Sequence, residues 1–305
     1  MRVKEFAVRP VASLLVRRLP APVLLILSSL FWGGNFVVGR AVSGDIPPLA
    51  LSFYRWLAAL AVLVLIAGPV SWRSIPELRR HKGWLLMSSF TGVLLFHPLV
   101  YTGLHTTTAI NASLIVATSP VIIPVIVFLA FREHVTAREG VGIVATMLGV
   151  VVVLTRGDVG TLGRLRFAVG DLMVLGAVVA WAVYSVGLRR RPNVPPLAIV
   201  TAVAAVGTVM LLPFYLWEAA TVGGFAWNLP HIATILYVGI FASVIAYVTW
   251  NQGVGTIGPT KAGPYMNLMP FFAAILAVVF LGESIEVFHL VGAAFIGGGL
   301  WVSTR

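Results

Sequence analysis

Runs of about twenty apolar residues, almost free of acids, recur along this chain from end to end. A run of that length is what a helix needs to cross a hydrocarbon core about 30 Å thick. They fall at 22–42, 47–68, 83–104, 108–131 and 137–155, then at 168–188, 196–217, 231–253, 259–281 and 286–303. Pro47-Pro48, Ser71 to Lys82, Gly157 to Arg166 and Arg191 to Pro196 interrupt the pattern between runs. Hydrophobic residues make up 59% of the chain and charged residues only 10%. Soluble domains average about 45–50% and about 25%, so water is not the solvent for this fold. The alternating segments of about ten residues that build membrane barrels are missing. The expectation is an all-α membrane protein with ten transmembrane helices.

The formal net charge of +11 does not mark a nucleic-acid ligand, because the charges sit between the apolar runs, where membrane orientation is decided. With the N-terminus inside, fifteen of the 21 Lys and Arg residues fall on inner segments, Arg2, Arg18, Arg79, Arg132 and Arg189 among them. Four fall outside: Arg40, Arg156, Arg164 and Arg166. Both termini are therefore expected on the cytoplasmic side of the cell (inner) membrane, with the 69–82 segment as a cytoplasmic loop. Residues 1–21 read as a retained basic arm rather than a signal peptide, since a full-length span and nine more follow.

Self-similarity appears at an offset of about 150 residues. Pro120 matches Pro270, Glu133 matches Glu283, Gly142 matches Gly292 and Gly149 matches Gly299 at that spacing. Trp32 pairs with Trp181 at 149, and Pro47-Pro48-Leu49-Ala50 with Pro195-Pro196-Leu197-Ala198 at 148. Residues 22–155 and 156–305 thus read as two repeats of five helices. Five is odd, so the second repeat enters the membrane from the opposite face. Inverted repeats of this kind build secondary transporters, with the substrate site near the midplane between them.

Trp32-Gly33-Gly34-Asn35-Phe36, Pro48-Leu49-Ala50 with Phe53-Tyr54-Arg55, and the stretches Pro120 to Gly149 and Pro270 to Gly299 resemble the EamA family of the drug/metabolite transporter superfamily. Within it the likeness runs to amino-acid exporters of the YddG type. The resemblance covers nearly the whole chain and implies ten helices and carrier activity, usually export.

Candidate site residues follow from polarity, depth and repeat position. His97 and Tyr101 are four apart and share a helix face; at offset 150 they correspond to Tyr247 and Asn251. These four either line a central site or satisfy one another in helix packing. Trp32 and Trp181 fall mid-helix and either line a cavity or pack, and Tyr184 and Tyr265 are further amphipathic aromatics within spans. Asn111 and Lys261 are repeat partners near helix starts. Pro259 and Pro264 bracket Lys261, so irregular backbone is expected there; the lysine either attracts an anion or snorkels to the headgroups. Arg55, about eight residues into its helix, should face a cavity or carbonyls, as brace or as substrate contact. Glu133 and Glu283 read as structural, pairing with nearby loop groups, and the four matched glycines as sites of close helix approach.

Several classes are excluded. The chain has no cysteine, hence no disulfide, thiolate metal site or cysteine nucleophile. No zinc-protease, nucleophile-elbow or P-loop motif occurs, and no acid lies deep in a span, Asp171 being nearest; neither a catalytic site nor a cofactor or metal is expected. The expected partners are membrane lipid and a small-molecule substrate, with apolar and aromatic amino acids foremost. Other metabolites, phosphorylated or nucleotide-linked sugars are the alternative cargo, and a lipid-acting membrane enzyme the alternative class. Both repeats lie in one chain, which is compatible with a monomer.

Overall fold

The computed structural model describes residues 19–304 except 108, 159, 165, 167 and 282–285. Among the described residues all regular structure is helical. The first half holds α1 (Ala21–Ala41), α2 (Pro48–Arg80), α3 (Lys82–Thr106), α4 (Ala109–Val116 followed by Ser119–Phe131) and α5 (Ala137–Thr155). The second holds α6 (Val169–Gly187), α7 (Pro196–Thr221), α8 (Leu229–Ile257), α9 (Pro259–Ala262, Gly263–Asn267 and Leu268–Leu281) and α10 (Val287–Thr304). Nine stretches among the described residues are long and apolar enough to cross a bilayer. The remaining one, α9, is broken by the 3-10 turn Gly263–Asn267. The irregular backbone expected between Pro259 and Pro264 thus falls about a turn later, Lys261 itself lying in the short α-helical turn Pro259–Ala262. Glu283 lies outside the described residues.

One boundary needs correcting. The 69–82 segment is not a loop, because α2 runs on for 33 residues to Arg80 and only His81 separates it from α3. Pro69 and Pro76 are both accommodated within the helix. A proline removes one backbone hydrogen bond, and here the amphipathic pattern outweighs that loss. Ser74 and Leu78, one turn apart, are buried, while Trp72, Arg73, Arg79 and Arg80 are exposed.

The two halves pack as an exchanged pair. Helix α1 lies on α8 and α9, and its counterpart α6 lies on α3 and α4. Equivalent helices also meet one another: α2 with α7, α4 with α9, α5 with α10. The latter contacts are antiparallel. A Cβ built on Gly142 would fall 2.6 Å from the Gly299 carbonyl oxygen, and one on Gly149 would fall 2.8 Å from that of Gly292. At the other side, Glu218 near the end of α7 accepts the Leu49 and Ala50 amides at 3.1 and 2.7 Å, capping the start of α2. Antiparallel packing of equivalent helices is the signature of inverted repeats.

Local backbone detail repeats in the same register. Pro47 and Pro195 open α2 and α7 at φ/ψ of −56°/143° and −55°/141°. A π-helical turn, Phe90–Leu95, interrupts α3, and another, Ile240–Ile245, interrupts α8. Helix α5 begins with a capping box, in which Thr136 and Glu139 each accept the other's amide; this device satisfies two orphan donors at once.

The glycine contact between α5 and α10 leaves no room for side chains. Overfilling such a contact costs about 1–3 kcal/mol. Gly149→Leu should therefore lower the melting temperature in detergent, whereas Gly297→Ala, which meets nothing within 4 Å, should leave it unchanged.

Candidate functional site

Where the halves meet, aromatic side chains from five helices close on one point. Trp32 on α1 and its repeat partner Trp181 on α6 pack edge to face, ring centroids 5.0 Å apart. Tyr247 on α8 stands 5.4 Å from Trp181 and 4.9 Å from Trp56, and Trp250 is 5.4 Å from Trp32. His97 on α3 joins this group 5.5 Å from Trp56 and 6.1 Å from Tyr247. All of them are buried.

The π turns supply the polar lining. Inserting a residue into a helical turn frees carbonyls from the regular ladder, and such turns occur often at functional sites. Here Tyr247 donates its hydroxyl to the Gly92 carbonyl at 2.5 Å, and the Trp32 indole donates to the Ala242 carbonyl at 2.9 Å. Gly92 and Ala242 are equivalent positions in the two turns. Gly92 is also required sterically, since a Cβ there would sit 2.7 Å from the Tyr184 ring. The Trp56 indole donates to His97 Nδ1 at 3.3 Å, which fits the neutral ring with its proton on Nε2.

Two hydrogen-bonded Tyr–Asn pairs flank this centre. On one side Tyr101 of α3 donates to Asn35 Oδ1 of α1 at 2.9 Å. On the other Tyr184 of α6 donates to Asn251 Oδ1 of α8 at 2.8 Å. Asn35 and Tyr184 are repeat partners, as are Tyr101 and Asn251, so the same pair is built twice with its residue types exchanged. Each pair carries an arginine. Arg55 Nη1 donates to Tyr101 OH at 2.6 Å and to Asn35 Oδ1 at 3.3 Å, and its Nε to Ser243 Oγ at 2.9 Å. Arg191 Nη1 donates to the Asn251 carbonyl at 2.8 Å. Both pairs are formed at once.

Of the residues singled out in the sequence, His97, Tyr101, Tyr247, Asn251, Trp32, Trp181 and Tyr184 thus come together. Lys261 does not join them. It lines a groove of about 200 Å³ at the ends of α4 and α8 with Glu133, His134 and Arg189. There Arg189 makes two hydrogen bonds to Glu133 at 2.6 and 2.9 Å, which hold that carboxyl below the usual carboxylate range. This is the structural pairing expected of Glu133. Tyr265 is buried in the 3-10 turn of α9, where its carbonyl accepts from Ser29 at 2.7 Å. The Asn111 side chain lies outside the described residues. The sequence alone does not single out Asn35, Trp56 or Ser243 for the site; the exchange of Asn35 for Tyr184 at the Trp32–Trp181 offset is the available signal.

Comparison with known proteins agrees with this architecture. The EamA-like transporter family matches residues 19–155 and again 168–305, once per half. The uncharacterized transporter YyaM of Bacillus subtilis (strain 168) is 27% identical over 275 residues, covering 90% of each chain. A probable terminal-alkyne amino-acid exporter of Streptantibioticus cattleyicolor is 28% identical over 290 residues, covering 92% of each. A protein solved by crystallography at 20% identity shares the fold, with a TM-score of 0.73 over 93% of this chain and 96% of that one. With a match in each half and relatives named as transporters rather than enzymes, the chain belongs to the EamA-like transporter family and is a multi-pass membrane transporter.

Proposed function

We propose that this transporter exports small amphipathic metabolites, apolar and aromatic amino acids first, by alternating access across the aromatic centre. The observation that carries the reading is the meeting of His97, Tyr101, Tyr247 and Asn251 with Trp32, Trp181 and Tyr184 between inverted halves. Inverted-repeat carriers place their sites at that interface. Apolar and aromatic side chains suit a site walled by indole and phenol rings, and an ammonium group rests favourably on such faces. The relative named as a terminal-alkyne amino-acid exporter supports the same cargo. Phosphorylated or nucleotide-linked sugars are the second reading; the single fully buried arginine of the centre, Arg55, offers little to balance their multiple charges.

In this account α9 is the tenth crossing, both termini are cytoplasmic, and the protein lies in the cell (inner) membrane. The two Tyr–Asn pairs are the opposing gates. The pair with Arg191 closes the cytoplasmic side and the pair with Arg55 the outer side, and they release in turn. One chain supplies both gates and both halves, so a monomer suffices.

The test is counterflow of a labelled amino-acid panel into proteoliposomes holding the purified protein. Apolar and aromatic amino acids should exchange, and their uptake into vesicles under a pH gradient should be unchanged by a proton ionophore. Among the described residues the buried carboxylates, Asp171 and Glu218, sit at helix ends and accept backbone amides, so none lies mid-span to carry a proton, and His97 accepts from Trp56. Failure of every amino acid while sugar phosphates exchange would favour the second reading. Collapse on adding the ionophore would make His97 a coupling residue.

A further inference from the structure

The hydrogen-bonding inventory of the aromatic centre is lopsided. Three side chains there carry a buried polar atom without a partner: Arg55 Nη2, Trp181 Nε1 and Asn251 Nδ2. All three are donors. The acceptors of the same centre are occupied: Asn35 Oδ1, Asn251 Oδ1, His97 Nδ1 and the carbonyls of Gly92 and Ala242 each receive a hydrogen bond. The other unpartnered buried side-chain atoms among the described residues are serine hydroxyls, which turn toward either role, and Asn267 Oδ1, whose amide is bound to Thr146 on α5.

Charge points the same way. Arg55 is fully buried, its Nε and Nη1 are engaged by neutral oxygens, and no carboxylate pairs with it among the described residues. A buried charge is ordinarily compensated by a partner of opposite sign. Here the described residues provide none, while one N–H edge is left open beside the rings of Trp56 and Tyr101, each 5.9 Å from the guanidinium carbon.

We propose that the cargo is recognised by a carboxylate, seated on Arg55 Nη2, with the Asn251 amide and the Trp181 indole as weaker seats toward the opposite gate. The assignment rests on the aromatic centre being the transport site. It adds what that reading leaves open, namely which end of an amphipathic molecule is read and by which residue. Antiparallel packing of the halves puts Asn251 and Arg55 on opposite sides of Trp181. A carboxylate entering past Asn251 therefore meets an N–H donor at each depth and the one charged donor last. Among the open side-chain groups along that line an ammonium meets only donors and an uncompensated cation, so its seats are the ring faces and the carbonyls that the π turns free. Monocarboxylates with an apolar tail are cargo whether or not they carry an amine, and cations without a carboxylate are excluded.

The experiment compares alanine, leucine and phenylalanine with their amides, which keep the side chain and amine and lose the negative charge. Thermal stabilisation of the purified protein in detergent reads binding, and counterflow of the labelled acids reads transport. The acids should stabilise the wild-type chain and the amides should not. Arg55→Gln should weaken acid binding about 10- to 100-fold, the range for a hydrogen bond to a charged group, and Arg55→Lys should fall between. If Arg55→Gln does not fold, the acid–amide contrast in the wild type and in Arg55→Lys decides. Amides that bind as well as acids, acid binding untouched by Arg55→Gln, or no binding of any acid would overturn the proposal. Binding that follows Arg55 without any counterflow would uphold the carboxylate seat and reject the transport reading; counterflow with equal binding of acids and amides would do the reverse.

Discussion

Truncating Tyr247 to alanine is expected to abolish most transport per folded molecule, by at least about tenfold, while the protein still inserts in the membrane. Tyr247 touches Trp32, Trp56, His97, Trp181 and Tyr184 with its ring and the π turn of α3 with its hydroxyl. Removing a buried aromatic side chain costs about 3–5 kcal/mol in protein cores, so a lower melting temperature will accompany the loss. Tyr247→Phe separates the two effects. It keeps the ring and gives up one hydrogen bond, leaving the Gly92 carbonyl to water or cargo. His97→Ala should behave like Tyr247→Ala, since it removes a ring and leaves the Trp56 indole without its acceptor. The check is flux normalised to the amount of folded protein. Variants that melt early yet carry cargo at the wild-type rate would show that the rings are packing and that the site lies elsewhere.

The second large effect concerns the gates. Asn35→Ala and Asn251→Ala each remove the acceptor of one Tyr–Asn pair and leave a buried tyrosine O–H proton without an acceptor, although the Tyr101 oxygen still accepts from Arg55. Such a loss costs roughly 1–3 kcal/mol, and it is felt only in the state where that gate is closed. Each variant should shift the balance between outward- and inward-open states by roughly 5- to 100-fold. The directions are opposite: Asn251→Ala favours opening on the Arg191 side, and Asn35→Ala on the Arg55 side. Hydrogen exchange of α8 and α3 in the two variants reads this directly. Identical exchange changes in both would mean that the pairs act as glue rather than as gates.

Much of this fold is legible in the sequence because lipid leaves a helix few choices. Backbone groups must be satisfied within the segment, so an apolar run of the right length is a helix, and α5 was placed at 137–155 to the residue. The 150-residue register carried further than helix ends, into both proline caps and both π turns. What failed to show was local and polar. The continuation of α2 to Arg80 was hidden because Ser71 to Lys82 is a poor membrane segment but a good amphipathic helix. Asn35 carries no signal in the sequence beyond its motif, since its role depends on Tyr101 reaching it from another helix. In the sequence Arg55 reads as a charge in need of a partner, and only the packed side chains reveal that one of its donors is left open.

Alternating access at the aromatic centre is most directly tested by asking from which side that centre can be reached. The chain is free of cysteine, so Ser243→Cys, at the Arg55 contact on the α8 π turn, introduces a single reporter. An impermeant thiol reagent is applied to right-side-out and to inside-out vesicles during counterflow of a transported amino acid. Modification from both faces, each slowed by excess cargo, is the result expected of a site that opens to either side in turn. Modification from one face alone while counterflow continues would contradict the account.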